Sequence, residues 1–266
     1  MKVEKHFFDF AAEVGLTKHL GGQDATDRML TLCHIQPGQT VLDVGCGAGS
    51  TACYIAGVHN CDVIGVDILP RMVDRARERA RRTKVEDRVT FRTADALSLP
   101  FETNTFDIVF TESVSAFPSD KQHAVDEYTR VTRPGGYIGL NESTWLKTPP
   151  PPELLEWVEQ DVGTTVAPLD EQGWRRLLER AGLRDIVVEV GKVDPGTESR
   201  GLLQRYGAGS LMRSVFRAFR MYLHDPAYRS FVRSVSDQGV IPEQLNAYFG
   251  FGLYVGRKPA SEQLCP

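Results

Sequence analysis

Short apolar runs alternate with amphipathic stretches along the first half of the chain. "TVLDVGC" (40–46), "DVIGVDI" (62–68), "RVTFRTAD" (88–95), "FDIVFTES" (106–113) and "GYIGLNE" (136–142) have the length and composition of buried strands. Between them "STACYIAGV" (50–58), "PRMVDRARERARR" (70–82) and "SDKQHAVDEYTRVT" (119–132) carry helical spacing, with Pro70 and Pro134 as punctuation. Strand–helix alternation at this interval predicts a parallel sheet with right-handed crossovers. Beyond the stiff "TPPPPE" (148–153) come a helix, "DEQGWRRLLERAG", ending on Gly182, and a strand over 183–193. A closing strand follows over 247–258, after about fifty residues of helical character. The expected fold is α/β, a doubly wound, mostly parallel seven-stranded sheet with a helical insertion before the last strand.

The first strand ends in "VLDVGCGAGS" (41–50), an acid followed by glycines at 45, 47 and 49. In a sheet of this kind ligands bind outside the carboxyl ends of the strands, where strand order reverses. A dinucleotide site wants G-x-G-x-x-G, so that a pyrophosphate meets a helix N-terminus. Here the spacing is G-x-G-x-G, Ser50 stands where the third glycine belongs, and Asp43 would repel a pyrophosphate. A cationic, phosphate-free ligand such as S-adenosylmethionine (SAM) suits that turn better. Asp67, ending the second strand, offers an acceptor pair for ribose hydroxyls, a feature that NAD would use equally.

Composition narrows the picture. The 266 residues carry 41% hydrophobic and 25% charged side chains, as a soluble globular core requires. A net charge of −4 and a pI near 5.9 argue against a general nucleic-acid coat. "RMVDRARERARR" (71–82), with its interspersed acids, reads as a solvated helix face. No apolar stretch approaches the ~18 residues of a membrane span. The start, "MKVEKHFFDFAAEVGL", has acids in its apolar stretch and lacks a signal-peptide core. Five cysteines (33, 46, 53, 61 and 265) form no CxxC pair, which suggests reduced thiols, no metal site and a cytoplasmic location.

Taken in order, "VLDVGCGAG", "GVDI", "TADALSLPF", "FDIVFTESV" and "RVTRPGG" resemble the motifs of class I SAM-dependent methyltransferases over roughly residues 25–145. The nearest branch is the type 11 group, which includes ubiquinone and menaquinone C-methyltransferases and many small-molecule enzymes. That resemblance implies a Rossmann-like methyltransferase fold, with S-adenosyl-L-homocysteine as the product. It implies that Gly45, Cys46, Gly47 and Gly49 border the methionine and ribose of the cofactor, while Asp67 binds the ribose hydroxyls. Ile68 would pack on the adenine, Asp95 would accept from its amino group with Ala96 beside it, and Asp43 would face the cofactor's amino end. Glu112 falls where the family places cofactor-edge or substrate residues.

Candidates for the catalytic mouth are Glu112 after the fourth strand, and Asn141, Glu142 and Trp145 after the fifth. Glu142 could deprotonate an acceptor or hold an amine, and Trp145 could wall the pocket; loop capping is the plainer role for each. His6, His19 and His123 are conceivable bases, and structural or exposed positions suit them better. The reading is methyl transfer to a small molecule. Its alternatives are a SAM-binding regulator without turnover, or RNA or protein methylation, which the acidic pI and "TESV" after strand four disfavour.

Residues 1–24 are expected to form an N-terminal helical lid, 25–196 with 247–258 the SAM-binding core, and 197–246 a helical insertion. Residues 200–235 of that insertion hold seven arginines against the single acid Asp225. Leu211, Met212, Val215, Phe216, Phe219 and Leu223 recur there at helical spacing. The stripe suits a substrate-capping lid, a homodimer surface or, last, a helix on an anionic membrane.

Overall fold

The structure, a computed structural model, describes residues 10–15, 19–161, 166–193, 195–237, 242 and 244–260. The strands are β1 (Thr40–Val44), β2 (Asp62–Asp67), β3 (Val89–Thr93), β4 (Phe106–Glu112), β5 (Thr132–Trp145), β6 (Leu169–Asp170), β7 (Arg184–Lys192) and β8 (Phe249–Arg257). They form one sheet in the order β3-β2-β1-β4-β5-β8-β7, with the two-residue β6 beside the end of β5. Only β8 runs against its neighbours, β5 and β7. The expected seven-stranded, mostly parallel sheet is therefore present, with β6 as a short addition that two residues of sequence pattern could not announce. Strand order reverses between β1 and β4, which opens a crevice at their carboxyl ends.

Helices cover both faces. On one lie α1 (Gly22–Leu32), α2 (Ser50–Tyr54, continuing as a π turn over Ile55–His59) and α3 (Pro70–Thr83); on the other lie α4 (Lys121–Val131) and α6 (Glu171–Arg180), while α5 (Pro152–Asp161) packs on Trp145 at the end of β5. Strand alternation divides the core between the two faces. Val41, Val63, Ile108 and Phe110 pack with Met29, Val73 and Ala76 on the α1–α3 side. Leu42, Val109, Ile138 and Leu140 pack with Val125, Tyr128 and Trp174 on the α4/α6 side. The apolar positions of "PRMVDRARERARR" that face the sheet are Met72, Val73, Ala76 and Ala80, and its remaining charges sit outward as read, apart from the buried Arg79.

The insertion is α7 (Pro195–His224), bent at Gly207, then α8 (Pro226–Asp237) and the short α9 (Leu245–Tyr248). Ser214 is buried against the body, whereas Met212, Val215, Phe216, Phe219 and Leu223 are all more than half exposed on the opposite side of α7. A helical segment over residues 10–14 bridges insertion and core. Phe10 packs on the rings of Tyr228 and Phe231, and Arg75 of α3 donates to the carbonyls of Ala12 and Glu13. Phe7, Phe8 and His6 lie outside the described residues, as does Cys265. Among the described residues no helix is long and apolar enough to cross a membrane.

Candidate active site

The period of two decides which side chains meet. Asp43 stands in register with Gly65 of β2 and Phe110 of β4, and Glu112 with Asn141 of β5. Two residues beyond Gly65, Asp67 projects from the same face. Asp43, Asp67, Glu112 and Asn141 thus share the α1–α3 side at the carboxyl ends of four neighbouring strands. Thr111 and Glu142 fall on the opposite side.

The glycine turn closes directly over these acids. The amides of Gly45 and Cys46 both donate to the Val66 carbonyl, at 2.7 and 2.9 Å. Gly45 has φ 73° and Gly49 φ 72°, a region that costs an L side chain but not glycine. Space is equally short: a Cβ on Gly49 would stand 2.7 Å from the Ala76 Cβ. Gly47 donates its amide to Asp67 Oδ2 at 2.9 Å, and Leu69 donates to Oδ1 at 2.9 Å. Asp67 is thereby fixed against the turn with acceptor capacity to spare.

Charge is the distinctive feature. Asp43 is buried, and its Oδ2 has no hydrogen-bond partner. Burial, then the neighbouring Glu112 and Asp67, push its carboxyl well above the usual carboxylate range. Burial also raises Asp67, against the amides of Leu69 and Gly47. Among the described residues no group of three or more His, Cys, Asp or Glu is arranged to hold a metal ion. The arrangement fits an organic cation lying along the turn. Cys46 is inert by contrast: burial and the charges of Asp43 and Asp67 push its thiol well up.

Glu112 is the hub of a polar network that the sequence did not reveal. Its Oε1 accepts from Thr26 Oγ1 of α1 at 2.7 Å, and its Oε2 from Thr51 Oγ1 of α2 at 2.7 Å. His19 Nε2 lies 3.2 Å from Oε2. Asn141 Nδ2 donates to the Leu20 carbonyl at 3.0 Å, with the His19 ring 3.5 Å away. His19 and Leu20 are thus tied to the ends of β4 and β5. The only local signal for this was position, since His19 precedes the Gly21–Gly22 turn that starts α1.

Ile68 is 62% exposed beside the turn, ready to meet a planar ring. Asp95 is exposed and receives the Leu97 amide at 2.9 Å, so it caps its own loop, with Ala96 half-buried beside it. Two residues expected at the mouth are placed otherwise. Trp145 is buried in a satellite cluster with Leu154, Val158 and Leu245, stacked edge-on against Phe249. Glu142 is fully buried beneath the turn after β4, because alternation along β5 sends it to the face opposite Asn141. His123 caps nothing catalytic: its amide donates to Asp120 at the start of α4.

A doubly wound sheet with a glycine turn and an acidic crevice at its switch point defines a class I methyltransferase domain. A methyltransferase-domain profile matches residues 41–136, the segment that runs from β1 into β5. An uncharacterized protein of Haemophilus influenzae is 30% identical over 181 residues, 67% of this chain and 72% of that one. The 27-O-demethylrifamycin SV methyltransferase of Amycolatopsis mediterranei is 37% identical over 164 residues, 59% of this chain and 58% of that enzyme. Among solved structures the [4+2]-cyclase SpnF superposes with a TM-score of 0.72 at 21% identity, over 97% of this chain and 96% of SpnF. The chain belongs to the class I SAM-dependent methyltransferases. Its cofactor is S-adenosyl-L-methionine.

Proposed function

We propose that this chain transfers a methyl group from SAM to a small-molecule acceptor. The buried, unpartnered Asp43 Oδ2 carries the reading, because an orphaned carboxylate oxygen beside two further acids is costly unless a cation completes it. Asp43 would face the ammonium end of the cofactor and Asp67 its ribose hydroxyls, with Ile68 and Ala96 flanking the adenine and Asp95 near its amino group. Bound there, SAM supplies an activated methyl on a sulfonium, which leaves as a neutral thioether.

The protein's own part is positioning. Holding two reactants in line can supply roughly 7–11 kcal/mol of the barrier. The Glu112 network secures one wall of the crevice, and the N-terminal residues that carry His19 close over it as a lid. Glu112, at the end of β4, would be the carboxylate that takes a proton from an acceptor hydroxyl or amine, in exchange for one of its present partners. Such a base typically adds ~10²–10⁴-fold. A small acceptor is supported by the antibiotic-modifying name of the Amycolatopsis relative and by the net charge of −4, which disfavours nucleic acid. A cytoplasmic location accords with buried, unpaired Cys33, Cys46, Cys53 and Cys61.

SpnF carries the same fold under the name of a [4+2]-cyclase, which favours a second reading in which this chain binds SAM without transferring its methyl. The experiment that separates the two is S-adenosylhomocysteine formation, followed by mass spectrometry across a panel of hydroxyl-, amine- and carbon-acid metabolites. Stoichiometric S-adenosylhomocysteine with a methylated partner supports transfer. SAM binding with no S-adenosylhomocysteine from any acceptor supports the second reading.

A further inference from the structure

Glu142 lies on the face of the sheet away from the cofactor crevice, yet it is connected to it. Its Oε1 collects three donors: the Ser115 amide at 2.7 Å, the Thr111 hydroxyl at 3.0 Å and the Val114 amide at 3.1 Å. Val114 and Ser115 form the turn that leaves β4. The chain enters that turn through Ser113 at φ 58°, a conformation that a non-glycine residue holds only when its surroundings fix it. One fixture is the Ser113 amide, which donates to the Asn141 carbonyl at 2.7 Å. The other is Glu142.

Val114 carries the effect across. Its side chain lies on Gly45, so closely that a Cβ on that glycine would stand 2.2 Å from Val114 Cγ2. The path from Glu142 to the turn amides, then through Val114 to the first glycine of the cofactor turn, is continuous. We infer that Glu142 is a positioning residue, which sets the seat of Val114 and hence the width of the slot at Gly45 for the methionine end of SAM. This rests on the assignment of the glycine turn to the cofactor.

The chemistry of the side chain suits that task. All three donors converge on one oxygen, while Oε2 has no partner. Burial raises the carboxyl above its ordinary value, against the pull of those same donors. A primary amide keeps one carbonyl oxygen where Oε1 stands, so glutamine can accept from the same donors. Alanine instead leaves the Ser115 and Val114 amides without this acceptor, while the Thr111 hydroxyl keeps the Ser115 hydroxyl, and the turn is free to shift.

The test uses the full chain and SAM itself. Calorimetric affinities for SAM are measured for Glu142→Gln, Glu142→Ala, Val114→Ala and the double variant Val114→Ala/Glu142→Ala, well below their melting temperatures. Expected are a loss of more than ~10-fold for Glu142→Ala and recovery to within ~threefold for Glu142→Gln. The double variant is expected to lose no more than the worse single one, since residues acting through one another are not additive. Unchanged SAM affinity in Glu142→Ala, with only a lower melting temperature, would show a purely structural role. Additive losses, or Glu142→Gln as weak as Glu142→Ala, would equally overturn the proposal. Absence of SAM binding by the wild type would instead refute the cofactor assignment on which it stands.

Discussion

Thr51 Oγ1 and His19 Nε2 approach the same carboxylate oxygen of Glu112, at 2.7 and 3.2 Å. One comes from the helix after the glycine turn and the other from the N-terminal segment, so Glu112 joins the cofactor loop to the residues that would close over it. Deletion of residues 1–20 should leave a folded domain with poor SAM retention, because the two core clusters of the sheet contain no described residue before Ala25. His19→Ala alone should weaken SAM by roughly 10-fold, the scale of one hydrogen bond to a charged group. Circular dichroism and calorimetry on both variants check this. A truncated chain that binds SAM as the full chain does would end the lid idea.

Asp43 predicts a pH dependence. Its carboxyl titrates higher folded than unfolded, so the folded chain holds the extra proton. The site therefore favours folding most below the unfolded value of about 4. It loses that favour as pH climbs from there toward the raised value. Asp43→Asn removes the buried charge. The variant should melt above the ligand-free wild type at neutral pH, the two should converge near pH 4, and SAM should bind the variant more weakly. Melting curves from pH 4 to 8 decide it; a difference that does not change with pH contradicts the assignment.

Phe216 and Phe219 are 67% and 58% exposed. Their replacement by serine should leave unfolding within ~0.5 kcal/mol of wild type, as surface changes do. The same variant assigns the stripe. Lost turnover at unchanged mass and SAM affinity marks acceptor capping, and a fall in mass marks a subunit contact. A marked fall in melting temperature would mean that the rings are covered by the chain itself.

The strands, the crossover helices and the glycine turn were legible because each is a local pattern. Asp43 and Asp67 were legible because they end apolar runs. Alternation along β4 and β5 separates Glu112 and Asn141 from Thr111 and Glu142. Treating every residue after a strand as part of the mouth put Glu142 and Trp145 there. Trp145 went instead to packing, since its ring finds Leu154 and Leu245 from elements far along the chain. His19 was a candidate among three histidines, but its partners Glu112 and Asn141 could not be found from sequence, because tertiary packing brings them in from 93 and 122 residues away. The stripe on α7 was read correctly as amphipathic, but its direction depends on which side of the helix meets the body, and a period of 3.6 does not say that.

Asp67 gives the most direct measure of the central claim, that the acids around the glycine turn hold SAM. Both of its oxygens are already fixed by the amides of Gly47 and Leu69, so the carboxylate is presented to a ligand without reorganisation. Calorimetric titration of SAM into the wild type and Asp67→Ala should show saturable one-to-one binding, weakened by more than ~10-fold in the variant, as the loss of a charge-assisted hydrogen bond of ~1.5–3 kcal/mol implies. Equal affinity in the two proteins, or tight NAD binding by the wild type, would contradict it.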